Sequence, residues 1–187
     1  MGNEVPDPTR TQFKMRFVVL SLEALRSPVP RKLLAVWNEK RGVRRFPAKE
    51  DITPRDLKDG LRFISLMRVF DGGKDFEYRL RGDGLIQLIN RSYGDGLPGR
   101  AASEFTGLGE LFDMGHRYVV ESGDPRHVQI CLEFGGRPVP CRECLYLPLG
   151  EDGRTVDHIL AISVALPEFD ALVLSRTSDA AQIHPIS

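Results

Sequence analysis

Residues 62–80 read RFISLMRVFDGGKDFEYRL. Phe63, Met67 and Val69 alternate with Arg62 and Arg68 before Asp71-Gly72-Gly73, which is a hairpin turn signal. Beyond the turn, Phe76, Tyr78 and Leu80 share one face, while Glu77, Arg79 and Arg81 share the other. One buried face and one wet face is the habit of an antiparallel sheet. The stretch therefore predicts the first hairpin of such a sheet.

Upstream, Ser27 is a good N-cap, Pro28 suits a first helical turn, and Gly42 can close the end. Leu33, Leu34, Trp37 and Arg41 follow at helical spacing, so a helix is predicted over 28–41, with Trp37 packing it onto the rest. Thr53-Pro54 opens a second short helix with Leu57 and Leu61 inward. Residues 13–26 start like a strand and end like a helix.

Downstream, 83–106 reads as short helices broken by glycine and proline. A longer helix is predicted near 107–122, its apolar stripe made by Leu108, Leu111, Phe112, Gly115, Tyr118 and Val119, and Gly123-Asp124-Pro125 stops it. Strands follow at about 126–134, 139–149 and 155–165, the last apolar on both faces. The expected architecture is α+β: a five-stranded antiparallel sheet with helices on one face, plus an N-terminal helical extension. Residues 1–27 form the extension, 28–166 the domain with its leading helix, and 167–187 a C-terminal tail.

The chain has 187 residues, enough for one domain, and its 26 basic and 26 acidic side chains balance. Binding to phosphate backbones normally needs a basic excess, so nucleic acid is not an expected partner. Three cysteines do not make a disulfide scaffold and favour a reducing interior. The apolar run Phe17–Leu20 is too short to span a bilayer, and residues 1–8 lack a signal-peptide pattern. The expected location is the cytoplasm, with no membrane partner.

The order of elements, two strands, short helices, a long helix, then three strands, is that of a PAS domain. LLAVWNEKRG with Trp37 and Arg41, FPAKEDITPRDL with Pro47, Asp51 and Pro54, and DFEYRLRGDGL with Phe76, Arg79 and Gly82 come in sequence. GDGLPGR with Gly99, GDPRHV with Pro125, LYLPL and VDHIL follow. The chain resembles a stand-alone PAS-like family of alphaproteobacterial proteins over residues 30–165. It departs at Gly82-Asp83-Gly84, where the family more often has a small hydroxyl residue after the first glycine. The resemblance implies a PAS-like fold and a regulatory protein that holds a small molecule, or a packed core, between sheet and helices. It names no ligand or cofactor, and fold alone does not fix function.

Several residues carry candidate chemistry. Cys141 and Cys144 form C-x-x-C, and Cys131 and His127 could complete a zinc set. On a regular strand, however, a spacing of three puts them on opposite faces, so ordinary strand cysteines and no metal are expected. His116 falls about 100° from the centre of its helix's apolar stripe, which favours a half-exposed surface histidine over a haem ligand. Glu143 shares a face with Val139, Cys141, Leu145 and Leu147. Either it enters the pocket and needs a donor, or a bulge turns it outward. Lys40, Arg41, Arg44 and Arg45 read as a solvated helix end.

The candidate ligand pocket is Met67, Tyr78, Phe112, His116, Tyr118, Cys141 and Glu143. No P-loop, G-x-S-x-G, H-E-x-x-H or dinucleotide fingerprint is present, and no catalytic residue is assigned. The expected function is a sensory or regulatory module in signal transduction that binds a small ligand, a signalling partner protein, or both. The segment 13–41 either caps the sheet or makes a homodimer. The alternatives are a ligand-free protein-interaction scaffold and a small enzyme using Glu143 or His116.

Overall fold

Trp37 fixes the first helix to the sheet: its indole Nε1 donates to the Pro148 carbonyl at 2.8 Å. In the computed structural model, which describes residues 13–85, 113–134, 137–166 and 182–183, that helix is α1 (Pro28–Arg41). It begins and ends where the proline and glycine signals put it, with Ser27 at the N-cap and Gly42 at φ 54°. Leu33 and Trp37 are buried on one side of it, which is why the helix adheres to the sheet.

The strands are β1 (Phe13–Leu20), β2 (Ile64–Phe70), β3 (Asp75–Arg81), β4 (Arg126–Phe134), β5 (Arg137–Leu149), β6 (His158–Ala165) and β7 (Gln182–Ile183). They form one sheet in the order β3-β2-β6-β5-β4-β1-β7, with antiparallel pairing throughout. The α+β antiparallel architecture stands. The strand count is corrected from five to seven among the described residues. β1 supplies the start of the ambiguous segment 13–26 and pairs all along β4, Phe13 opposite Phe134 and Leu20 opposite His127. β7 adds to the free edge of β1, so part of the expected tail is a strand. An edge strand leaves a row of peptide groups open, and another segment readily satisfies them.

The β2–β3 hairpin turns through Asp71, Gly72 and Gly73, all at positive φ, and Gly73 N donates to Phe70 O at 2.9 Å. Asp is one of the few side chains that tolerates this region. The segment after Thr53-Pro54 is a series of turns rather than a helix. Asp56 accepts from both the backbone N–H and the hydroxyl of Thr53, at 2.8 and 2.7 Å, which diverts the chain from helical bonding. Leu57 is half-buried against the core, but Leu61 is exposed, contrary to the inward orientation expected for it. A turn in which Asp152 accepts from Arg154 N and Thr155 N delays the start of the last long strand to His158.

Helical structure near 107–122 is described from Asp113 onward: a π-turn (Asp113–Arg117) runs into α2 (Tyr118–Ser122), and Gly123 closes it in the left-handed region at φ 65°. The short helices expected over 83–106 lie largely outside the described residues.

Both faces of the sheet are covered. Ile162 packs under α1, beside Val29, Leu33 and Gly60. Tyr146 packs under the π-turn, close enough that a Cβ on Gly115 would stand 2.7 Å from its ring. Leu145 pairs with Ile162 and Tyr146 with Ala161, so alternation puts Ile162 and Tyr146 on opposite faces. The expected one-sided cover is therefore two-sided: α1, the N-terminal helix, occupies the second face.

Candidate functional site

Alternation along β5 decides where each candidate side chain goes. Glu143, Leu145 and Leu147 face α1, while Arg142, Cys144 and Tyr146 face the π-turn. The predicted pocket set divides accordingly.

Met67, Tyr78 and His116 gather on the π-turn face. Met67 is fully buried, and it stands opposite Tyr78 across the β2–β3 pair. The His116 ring lies 4.8 Å from that of Tyr146, edge to face, and 5.4 Å from that of Phe76. His116 is thus buried, not half-exposed as its α-helical phase implied. The reason is the π-turn: its wider turn retards the phase of the following side chains. The same change carries Tyr118 out to 40% exposure, under the Arg126 guanidinium at 3.8 Å from the ring centroid. Tyr118 is not on this face, and Phe112 lies outside the described residues.

Burial pushes the Tyr78 hydroxyl up to about 12, against the pull of Arg81 and Arg142. Burial likewise holds the Tyr146 hydroxyl well above its usual range, and raises the Cys144 thiol. Cys144 Sγ and Ser163 Oγ are hydrogen-bonded to each other at 3.0 Å. A thiol buried and raised in this way is a poor nucleophile.

Glu143 and Cys141 belong to the opposite face, which corrects their place in the pocket. Glu143 is fully buried, and its carboxylate accepts from Arg26 N at 2.8 Å and Ser27 N at 2.7 Å. These amides stand at the N-terminus of α1, where peptide dipoles favour negative charge. His127 completes the arrangement. Its Nδ1 donates to the Ser21 carbonyl at 2.8 Å, and its Nε2 meets Glu143 Oε1 at 3.2 Å. Burial alone would raise the Glu143 carboxyl, but the bonds from Arg26 and Ser27 and the charge of His127 outweigh it and hold it below 4.5. Neither sequence alternative is complete: Glu143 points inward, but to a backbone clamp rather than to the Tyr78 face.

Cys131 and Cys141 are joined by a disulfide, with Cα atoms 4.3 Å apart. The register jumps there, from Ile130 opposite Arg142 to Leu132 opposite Val139, so two residues of β5 oppose Cys131 alone. Cys144 is free and buried on the other face. The zinc set does not assemble, because two of its cysteines are bonded to each other and His127 is engaged by Glu143. Among the described residues no group of three or more His, Cys, Asp or Glu side chains is arranged to hold a metal. The disulfide departs from the expectation that all three cysteines are reduced. Unfolded without reductant, each chain should yield one reactive thiol, and three after reduction. A count of three before reduction would show that the bond is absent.

The basic knot is consumed internally. Arg44 bonds Asp51 at 2.7 Å, Lys40 stands 3.5 Å from Asp56, Arg41 lies over Trp37, and Arg45 donates to the Ser122 carbonyl. A small crevice between α1 and the turn at Gly60, lined by Val29, Leu33, Leu57 and Ile162, has room for about one water molecule.

Three residues of the π-turn face escaped the sequence reading: Arg142, Arg81 and Tyr146. Tyr146 had a usable signal, since its parity on β5 opposes that of Glu143. A strand arginine, by contrast, reads as outward-facing by default.

Residues 25–105 match the family model described as a PAS domain. No curated protein and no solved structure matches the chain. The match covers α1 and the β2–β3 hairpin, and no described helix is long and apolar enough to cross a membrane.

Proposed function

We propose that this PAS-domain protein is a sensory module that holds a small molecule against the π-turn face of its sheet and passes the result to a partner protein. The sensory or regulatory role in signalling follows from the family; the ligand and the partner are the finer reading. The observation that carries it is the polarity of a deeply buried surface. Tyr78, His116, Tyr146, Cys144 and Ser163 all bring polar atoms to the face on which the π-turn packs. Packing alone favours apolar side chains there, because each buried polar group costs about 1–3 kcal/mol unless it is paired. Cys144 and Ser163 bond each other, and the polar row as a whole gives a small molecule with matching groups something to align on.

Native mass spectrometry of the freshly purified chain is the test. The expected result is a small added mass that disappears on denaturation. A bare chain mass, together with no change in melting temperature across a metabolite library, would count against ligand sensing and favour a packed interaction module.

A further inference from the structure

We propose that the molecule held on the π-turn face is an anion, with a carboxylate or phosphate head bound by Arg142 and Arg81 and an apolar body laid on Tyr78. This rests on the ligand-sensing reading above and adds the chemistry of the guest.

Arg142 carries the argument. Arg142 is buried on β5, at 7% relative exposure. It alternates with Glu143, so the neighbouring carboxylate points to the other face and is already engaged by the amides of Arg26 and Ser27. Among the described residues Arg142 has no carboxylate partner, and its Nε has no hydrogen-bond acceptor. A buried guanidinium left in this state is costly, and an incoming anion removes the cost.

Arg81 stands on the same face. It stacks on the Tyr78 ring at 3.7 Å from the centroid, and its buried Nε also lacks an acceptor. Strand alternation puts Arg81 and Arg142 on the same side of the sheet as Tyr78, and both draw its hydroxyl down. Asp83, near Arg81 in sequence, is taken by Arg62 at 3.7 Å. Two guanidinium forks with no opposing carboxylate among the described residues suit a carboxylate or phosphate, which the planar fork meets through paired N–H donors. The half-buried Tyr78 ring beside these charges suits an apolar or aromatic body.

The full chain is titrated with phenylacetate, phenyl phosphate and the neutral isostere phenylacetamide, following the melting temperature. The expected result is stabilisation by one or both anions and none by the amide. Arg142→Met should lower the affinity for the effective anion by about 10- to 100-fold, the loss expected for a charge-assisted bond. This variant should fold, because methionine fills the space and removes an unpaired buried charge. Arg81→Met, tested in parallel, should lower the affinity in the same direction. Which anion binds separates carboxylate from phosphate recognition. Equal stabilisation by all three probes, or by the amide alone, overturns the anion assignment while leaving a ligand site. So does anion binding that both variants leave unchanged. No stabilisation by any probe overturns the assignment too, and the native mass then decides separately whether ligand sensing falls with it.

Discussion

Replacing Glu143 by alanine should destabilise the protein by about 3–5 kcal/mol, the range for removing one partner of a buried charged cluster. The change leaves two peptide N–H groups and a histidine nitrogen without their acceptor: Arg26 N, Ser27 N and His127 Nε2. His127 and the Glu143 carboxylate are buried and the two amide bonds part-buried, so solvent makes good only part of the loss. Glu143→Gln should fall between, because the amide oxygen can still accept while its NH2 group faces a donor. Urea unfolding of the three proteins measures this directly. The sign of the pH effect is fixed by the direction of the shift. The folded carboxyl titrates below 4.5, so its stabilisation is complete above that value and disappears as pH falls through the lower folded value. Several other aspartates shift the same way, among them Asp51, Asp56 and Asp152, so the informative quantity is the difference between parent and variant. That difference should shrink as the solution is acidified below 4.5. A Glu143→Ala protein as stable as the parent at neutral pH would mean that the clamp contributes nothing.

Trp37→Ala should have a similar effect, about 3–5 kcal/mol, through the cavity left by a large buried ring. Trp37 is 3% exposed and joins α1 to the sheet by packing and by the bond to Pro148 O. Trp37→Phe separates the two contributions. It keeps most of the apolar contact and leaves the Pro148 carbonyl without its donor, a loss of about 1–3 kcal/mol. Trp37 is the chain's single tryptophan, so the variants need circular dichroism rather than tryptophan emission to follow unfolding. Equal stabilities for Trp37→Phe and the parent would show that the indole bond adds nothing to the packing.

The hairpin and α1 were legible because local rules specify them fully. Alternation about Asp71-Gly72-Gly73 and the Ser27-Pro28 and Gly42 signals involve only near neighbours. The candidate site was less legible for two reasons. First, β5 is buried on both faces, so a residue described as inward could belong to either compartment. Glu143 and Cys141 were assigned to the compartment of Tyr78 and belong to the other. Second, the π-turn breaks the 3.6-residue period on which the placement of His116 and Tyr118 depended, and no residue type announces it. The Cys131–Cys141 bond was hidden for a related reason: it forms where the strand register slips, and a register slip is a property of the pair of strands rather than of either alone.

The back-to-back placement of Arg142 and Glu143 has a consequence for measurement. Substitutions at adjacent positions ordinarily fail to add, because neighbours share contacts. These two share none of the hydrogen bonds described above. A double-mutant cycle between them therefore isolates what a single stretch of backbone conveys from one side of the sheet to the other. A coupling near zero means two independent rooms with a common wall; a sizeable one gives, in energy units, how strongly an event in the first is felt at the first turn of the helix in the second.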